Sequence, residues 1–249
     1  MAKVKSLIVI EGTLGGINFY LRKGVAVARK AGGGFSGKAI KNSPNMLRVR
    51  ENNSEFGHVS KVKTIFKRAL LPFLGHHSDS SLHGRMMKLF HSIKNRDEVS
   101  ERGKRRVGIG LQSEEGRKEM LSFPFTPKRC IQDTFFKKGI FYENALTYLL
   151  NGISSSAVHF HKNAEMLELK MLILVLDFEA LNYKTYVSEA QKLEKYFTET
   201  SVELTVDLPP TEGLKFVFVG MKFYQKQGSD FYLFEEDGAT GLELVHIFD

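Results

Sequence analysis

One stretch constrains the fold more than any other. Glu165 to Phe178 reads Glu-Met-Leu-Glu-Leu-Lys-Met-Leu-Ile-Leu-Val-Leu-Asp-Phe, with apolar side chains on both alternating faces of an extended chain. A strand of that kind belongs in the middle of a sheet that is covered on both sides. Its uninterrupted apolar core, Met171 to Leu176, is six residues and is the longest such run in the chain, so no helical membrane span is expected.

The residues after it keep the strand period. Val202, Leu204, Val206 and Leu208 alternate with Ser201, Glu203, Thr205 and Asp207, as in a half-buried strand. Pro209-Pro210 and Glu212-Gly213 turn the chain, and Lys215–Gln225, Phe231–Glu235 and Leu242–Phe248 read as three more strands. Short strands separated by Gly, Pro and acidic turns predict an antiparallel, immunoglobulin-like β-sandwich over residues 130–249.

The N-terminal half is different. Residues 17–29 predict a β-hairpin turning at Arg22-Lys23-Gly24, followed by a Gly-rich loop at 32–37 and a helix start at Ser43-Pro44. Phe56, Val59, Val62, Phe66, Ala69 and Leu70 recur at intervals of three or four, which predicts a helix over 54–71 with Lys61, Lys63, Lys67 and Arg68 largely off its apolar face. Leu82, Met86, Leu89, Phe90 and Ile93 predict a second, over 82–95, with Arg85, Lys88 and Lys94 alongside. The fold class is therefore α+β: a β-arm and a basic helical pair in residues 1–129, and an acidic sandwich in residues 130–249.

Charge follows the same division. Residues 1–129 carry 26 basic and 10 acidic groups, and residues 130–249 carry 10 and 18, giving +16 and −8. Three readings are open: the halves neutralise each other within one molecule, they meet between copies, or the basic half holds a polyanion. Ser100-Glu-Arg-Gly-Lys-Arg-Arg-Val107 is the densest basic cluster.

Two motifs imitate nucleotide chemistry. Gly32-Gly-Gly-Phe-Ser-Gly37-Lys38-Ala39 nearly fits a phosphate-binding loop, but Ala39 stands where a Mg²⁺-holding hydroxyl is required, and Pro44 allows little helix after Lys38. Leu172–Asp177 imitates a strand that presents a metal-binding carboxylate, without the strand–helix alternation of a parallel sheet. His159 and His161, two apart, can share a strand face and chelate a metal, but no third ligand is evident. Cys130 is the single cysteine, which excludes an intrachain disulfide or a multi-cysteine zinc site. Its neighbours Lys128-Arg129 can depress its pKa, yet no positioned base accompanies it, so a buried or inert thiol is expected. Leu7–Ile10 is too short for the apolar core of a secretory signal, so synthesis in the cytoplasm is expected, with any virion or extracellular role reached by a non-secretory route.

Gly12-Thr-Leu-Gly-Gly-Ile-Asn-Phe-Tyr20, Arg29-Lys-Ala-Gly-Gly33, Ser43-Pro44, Arg48-Val-Arg-Glu-Asn-Asn-Ser-Glu-Phe-Gly57, Leu82–Met87 and Ser100–Val107 together resemble a family of uncharacterised Bacteroidota proteins of similar length. Gly220-Met-Lys-Phe-Tyr-Gln225 is similar to the C-terminal strands of other such proteins from the same bacteria. The resemblance covers roughly residues 12–107. It implies that the Gly-rich hairpin and the Arg-Glu-Asn…Glu-Phe-Gly segment belong to a shared architecture, and carries no activity with it.

The sequence thus predicts a non-enzymatic structural or assembly protein, a subunit of a virion-like particle, tail or filament, without catalytic residues, metal or cofactor. Phe19, Tyr20, Arg22, Arg29, Arg48, Arg50, Glu51 and Glu55 are the expected contacts of a homo-oligomer or larger assembly. The alternative is a nucleic-acid-binding protein that grips phosphates with Arg102, Lys104, Arg105, Arg106, Lys61, Lys67 and Arg68. The Glu-Phe-Gly segment is expected to place Phe56 in the core.

Overall fold

In a computed structural model of the chain, which describes residues 2–3, 10–32, 36–77, 79–236 and 238–249, two tight turns shape the N-terminal segment. Gly15-Gly16 and Lys23-Gly24 all have positive φ, between 51° and 77°. Consecutive left-handed residues in a two-residue loop match the twist of antiparallel strands. They join β2 (Gly12–Leu14), β3 (Ile17–Arg22) and β4 (Val25–Lys30) into a meander, and β1 (Ala2–Lys3) pairs with the outer edge of β4. The expected hairpin is present, extended to a four-stranded sheet. A short helix α1 (Gly37–Asn42), capped by the Ser36 hydroxyl, and a 3-10 turn at Pro44–Met46 follow. By contact density Met1–Asn52 forms one compact unit and Asn53–Asp249 a second.

In the second unit most of the helices come first. Helix α2 (Leu47–Ala69), whose first six residues belong to the first unit, is followed by α3 (Leu71–Leu74), α4 (Leu82–Lys94), α5 (Val107–Gly110), α6 (Glu114–Leu121) and α7 (Ile131–Phe135). Both helices expected from periodicity are there, α2 starting seven residues early. The apolar face of α2 is rotated from expectation. Val59, Val62, Phe66 and Ala69 are buried as predicted, but Glu55, His58 and Lys63 are buried with them and Phe56 is exposed, its ring tilted against His91 with centres 5.6 Å apart. The helix turns a charged residue inward because partners for that charge exist elsewhere in the fold.

The strands build two antiparallel sheets. In the larger, β7 (Met166–Asp177) and β11 (Leu214–Gln227) pair along eleven residues at the centre. β8 (Asn182–Val187) and β9 (Gln191–Glu194) share the outer edge of β7; β12 (Asp230–Leu233) and β13 (Thr240–Phe248) share the outer edge of β11. The smaller sheet runs β10–β6–β5, from Ser201–Thr205, Thr147–Asn151 and Ile140–Tyr142.

Alternation along β7 explains the layering. Leu172, Leu174 and Leu176, with Phe216, Phe218 and Leu242, pack against Val62, Phe66, Phe90, Ile93 and Leu111 of the helices. Met171, Ile173 and Val175, with Val217, Val219 and Met221, pack against Tyr148, Leu150, Val202 and Leu204 of the smaller sheet. The central sheet therefore lies between helices and a second sheet, which is why its strands are apolar on both faces. Phe66 meets Phe216 edge-on at 5.0 Å, an arrangement worth about 0.5–1.5 kcal/mol beyond burial.

The expected boundary at 129/130 does not divide the fold. Helices from 53–129 and strands from 130–249 share one hydrophobic cluster, and the contact boundary lies at Asn52/Asn53. The composition shift at 129 marks a change from helix to strand within a single core.

Candidate functional site

Of the expected assembly residues, the first four lie on the N-terminal sheet. Register puts Phe19 on one face with Leu14, Ile17 and Leu21, and Tyr20 on the other, where the Arg29 guanidinium lies 5.6 Å from its ring centre. Leu14, Ile17 and Leu21 are 68%, 42% and 45% exposed, so this sheet presents an uncovered apolar face within its own unit. Arg22 and Arg29 are exposed. Arg48 pairs with Glu51 at 3.1 Å, one turn on. Arg50 donates to the carbonyls of Ile40 and Ser43 at 2.8 and 2.9 Å and so braces the α1 end of its own unit.

Glu55 departs from expectation. It is 5% exposed and accepts bonds from the Lys94 ammonium and from the Gly103 N–H at 2.7 Å, so it makes an internal contact, not one between subunits. Burial pushes its carboxyl up; the bonds from Lys94 and Gly103 outweigh that and hold it below its usual value.

Three acceptors of this kind shape the basic loop. Asp97, 1% exposed, takes Ser100 and Arg106 N–H bonds at 2.8 Å; Glu55 takes Gly103; the His58 Nε2 takes the Val107 N–H at 3.2 Å. The expected phosphate-gripping cluster is dispersed as a result. Lys104 pairs with Glu101 at 2.9 Å, and Arg105 lies close enough to Glu55 to act on its titration, with a buried Nε. Arg106 lines a cleft that Lys61 also lines; Lys67 and Arg68 lie at the far end of α2 and do not line it. Arg102 is exposed. Sequence reasoning missed His58, Lys94, Asp97 and Arg117. A histidine in the same period as Val59 and Val62 was the one available signal.

Burial of His58 (9% exposed), reinforced by Arg106 and then Lys61, lowers its pKa to about 4, so the ring is neutral and its Nε2 stays an acceptor. Burial likewise pushes the Cys130 thiol up to about 12, with Asp133 and Glu243 adding to it, and the adjacent Lys128-Arg129 do not depress it. Its Sγ accepts from the Asp133 N–H at 3.3 Å and caps α7.

Lys38 lies in α1, whose six residues end at Asn42, and every sheet is antiparallel; residues 33–35 of the Gly-rich motif lie outside the described residues. Asp177, at the end of the other nucleotide-like motif, accepts Glu179 and Ala180 N–H bonds at 2.8 and 3.0 Å and closes its own turn. Residues 158–161 form no strand, so His159 and His161 share no strand face. His159 offers its carbonyl to Arg129, and the His161 ring lies tilted against Phe234, with centres 5.2 Å apart. Among the described residues no group of three His, Cys, Asp or Glu is placed to hold a metal, and no helix is long and apolar enough to cross a membrane.

Charge divides with the units. Residues 1–52 hold ten Lys or Arg and two Asp or Glu, a net of +8; of the chain's 36 and 28, that leaves 26 of each for residues 53–249, a net of zero. Within the second unit, residues 53–129 carry +8 and residues 130–249 carry −8, and Arg117 on Asp249, at 2.9 Å, links the two segments.

No protein-family model, curated protein or solved structure matches the chain.

Proposed function

We propose that the chain is a non-enzymatic assembly protein, a subunit of a particle, tail or filament, that joins its neighbours through the N-terminal unit. The observation that carries this reading is the coincidence in 52 residues of the whole net charge of +8 and an uncovered apolar sheet face at Leu14, Ile17 and Leu21. The complementary surface is the acid-rich residues 130–249 of another copy, which an immunoglobulin-like pair of sheets would hold rigid. Opposite charge orients the encounter, and the apolar face supplies contact that salt does not screen.

A second reading has its own support. Arg29 over Tyr20, on the face opposite Leu14, is a cation beside a flat ring, the combination that single-stranded nucleic acid favours. Light scattering behind size-exclusion chromatography separates the two. Assembly requires an oligomer that weakens, without vanishing, as salt rises from about 0.1 to about 1 M, where the Debye length falls from about 10 Å to about 3 Å. Deleting residues 1–30 should leave a folded monomer. A chain monomeric in both salts and shifted only by an added oligonucleotide would favour the second reading; one that does neither refutes both.

A further inference from the structure

The second unit contains an open cleft of about 910 Å³, at the upper end of the size range of small-molecule sites. One bank is the polar face of α2, at Asn53, Ser54, Gly57 and Lys61. The segment 106–112, the β7–β8 turn and Glu212 complete the lining. Phe178, Leu181 and Leu214 supply apolar lining.

Its cations divide into two kinds. Arg117 is held by Asp249 through both carboxylate oxygens, at 3.0 and 2.9 Å, and by the Leu111 carbonyl at 3.0 Å. Lys61 and Arg106 have no carboxylate partner among the described residues; the one bond recorded for the Arg106 guanidinium goes to the carbonyl of Arg105. Lys61 and Arg106 are 45 residues apart in sequence, yet both lie near enough to His58 to help lower its pKa. The backbone that carries Arg106 is pinned on each side, by Asp97 at its own N–H and by His58 at the next. Lys61 and Arg106 thus line one cleft without a carboxylate partner; Asp177, which also lines it, turns its Oδ1 to the Glu179 and Ala180 N–H groups of its own turn. Gly57, between Lys61 and Asn53 on α2, has no atom within 4 Å of where a Cβ would stand, so the helix backbone is open to the cleft.

We infer that this cleft is a binding site for a small phosphomonoester whose other end carries hydrogen-bond donors. A phosphomonoester brings a charge of about −1.5 to −2 near neutral pH, which two unpaired cations match and one carboxylate does not. Glu179 and Glu212, which also line the cleft, are exposed acceptors for hydroxyl or ammonium groups. The site lies wholly within residues 53–249 and does not depend on how the N-terminal unit assembles.

Titration calorimetry on the full chain tests it, with glycerol 1-phosphate and phosphoethanolamine as probes and glycerol and ethanolamine as controls. At least one phosphate probe should bind saturably, with the hydroxyl and ammonium arms showing which donor Glu179 and Glu212 prefer, and both controls should be silent. Lys61→Gln should weaken that binding about tenfold, as expected for loss of one charge-assisted contact. Gly57→Leu, which fills the cleft while favouring the helix, should abolish it with no loss of thermal stability. Lys67→Gln and Lys104→Gln, in the same helix and loop but outside the cleft, should change nothing. Absence of saturable binding by both probes, or an equal loss in the Lys67 and Lys104 variants, would overturn the assignment.

Discussion

Replacing His58 with Gln should remove much of the acid sensitivity of the second unit. In the folded chain the His58 ring is neutral down to about pH 4, whereas in the unfolded chain it takes up a proton near 6.5. Between those values the unfolded state binds more protons, so stability rises with pH across the window and falls as acid is added. The contribution is complete above 6.5 and is lost as pH approaches 4. At roughly 1.4 kcal/mol per pKa unit, the full difference is about 3 kcal/mol, of which about 2.5 should be gone by pH ~4.5. Glutamine does not titrate, and its amide oxygen can accept the Val107 N–H in place of Nε2. Urea unfolding at about pH 7.5 and pH 4.5 should show the parent losing some 2.5 kcal/mol more than the variant on acidification. Other groups titrate in both proteins, so the comparison isolates this ring. Equal losses in the two would refute the claim that His58 is held neutral by burial.

Two further outcomes follow from the packing. Glu55→Gln leaves the Lys94 ammonium, 5% exposed, without its counter-charge and should lower stability at neutral pH by about 3–5 kcal/mol, measured by denaturant unfolding. At Gly110 a Cβ would fall 2.0 Å from the Ile93 carbonyl oxygen, so Gly110→Ala must push α5 off α4 and should cost at least about 1–3 kcal/mol, read as a lower unfolding midpoint; a neutral result would mean the two helices are not in contact there.

Much of the β-structure was legible because each strand announces itself locally. The double-sided apolar run of β7 correctly placed it mid-sheet, and β10 to β13 follow from alternation and turn residues. β8 and β9 escaped notice because as edge strands they bury little: in β9 Leu193 alone is buried. α5 was invisible because Val107-Gly-Ile-Gly110 is poor helix sequence, its glycines being demanded by close neighbours, Phe178 at Gly108 and Ile93 at Gly110. The inward turn of Glu55 could not be read from α2, since Lys94 and Gly103, which make it tolerable, lie 39 and 48 residues away. The cleft was unreadable for the same reason: Lys61 and Arg106 are neighbours through the loop anchored on Asp97, and that anchorage has no pattern in the chain.

The packing of Phe66 on Phe216 spans 150 residues of sequence. Ribosomes add about 5–20 residues per second, so Phe66 is made roughly 8–30 s before Phe216. During that interval Val62, Phe66, Phe90 and Ile93 lack first β7 and then β11, the strands that cover them in the fold. Synthesis therefore exposes an apolar helical surface on a nascent chain, and slower translation lengthens the exposure. Yield of soluble protein should accordingly rise when a chaperone that recognises such surfaces is co-produced, more than it does for a fold whose helices pack only on their sequence neighbours.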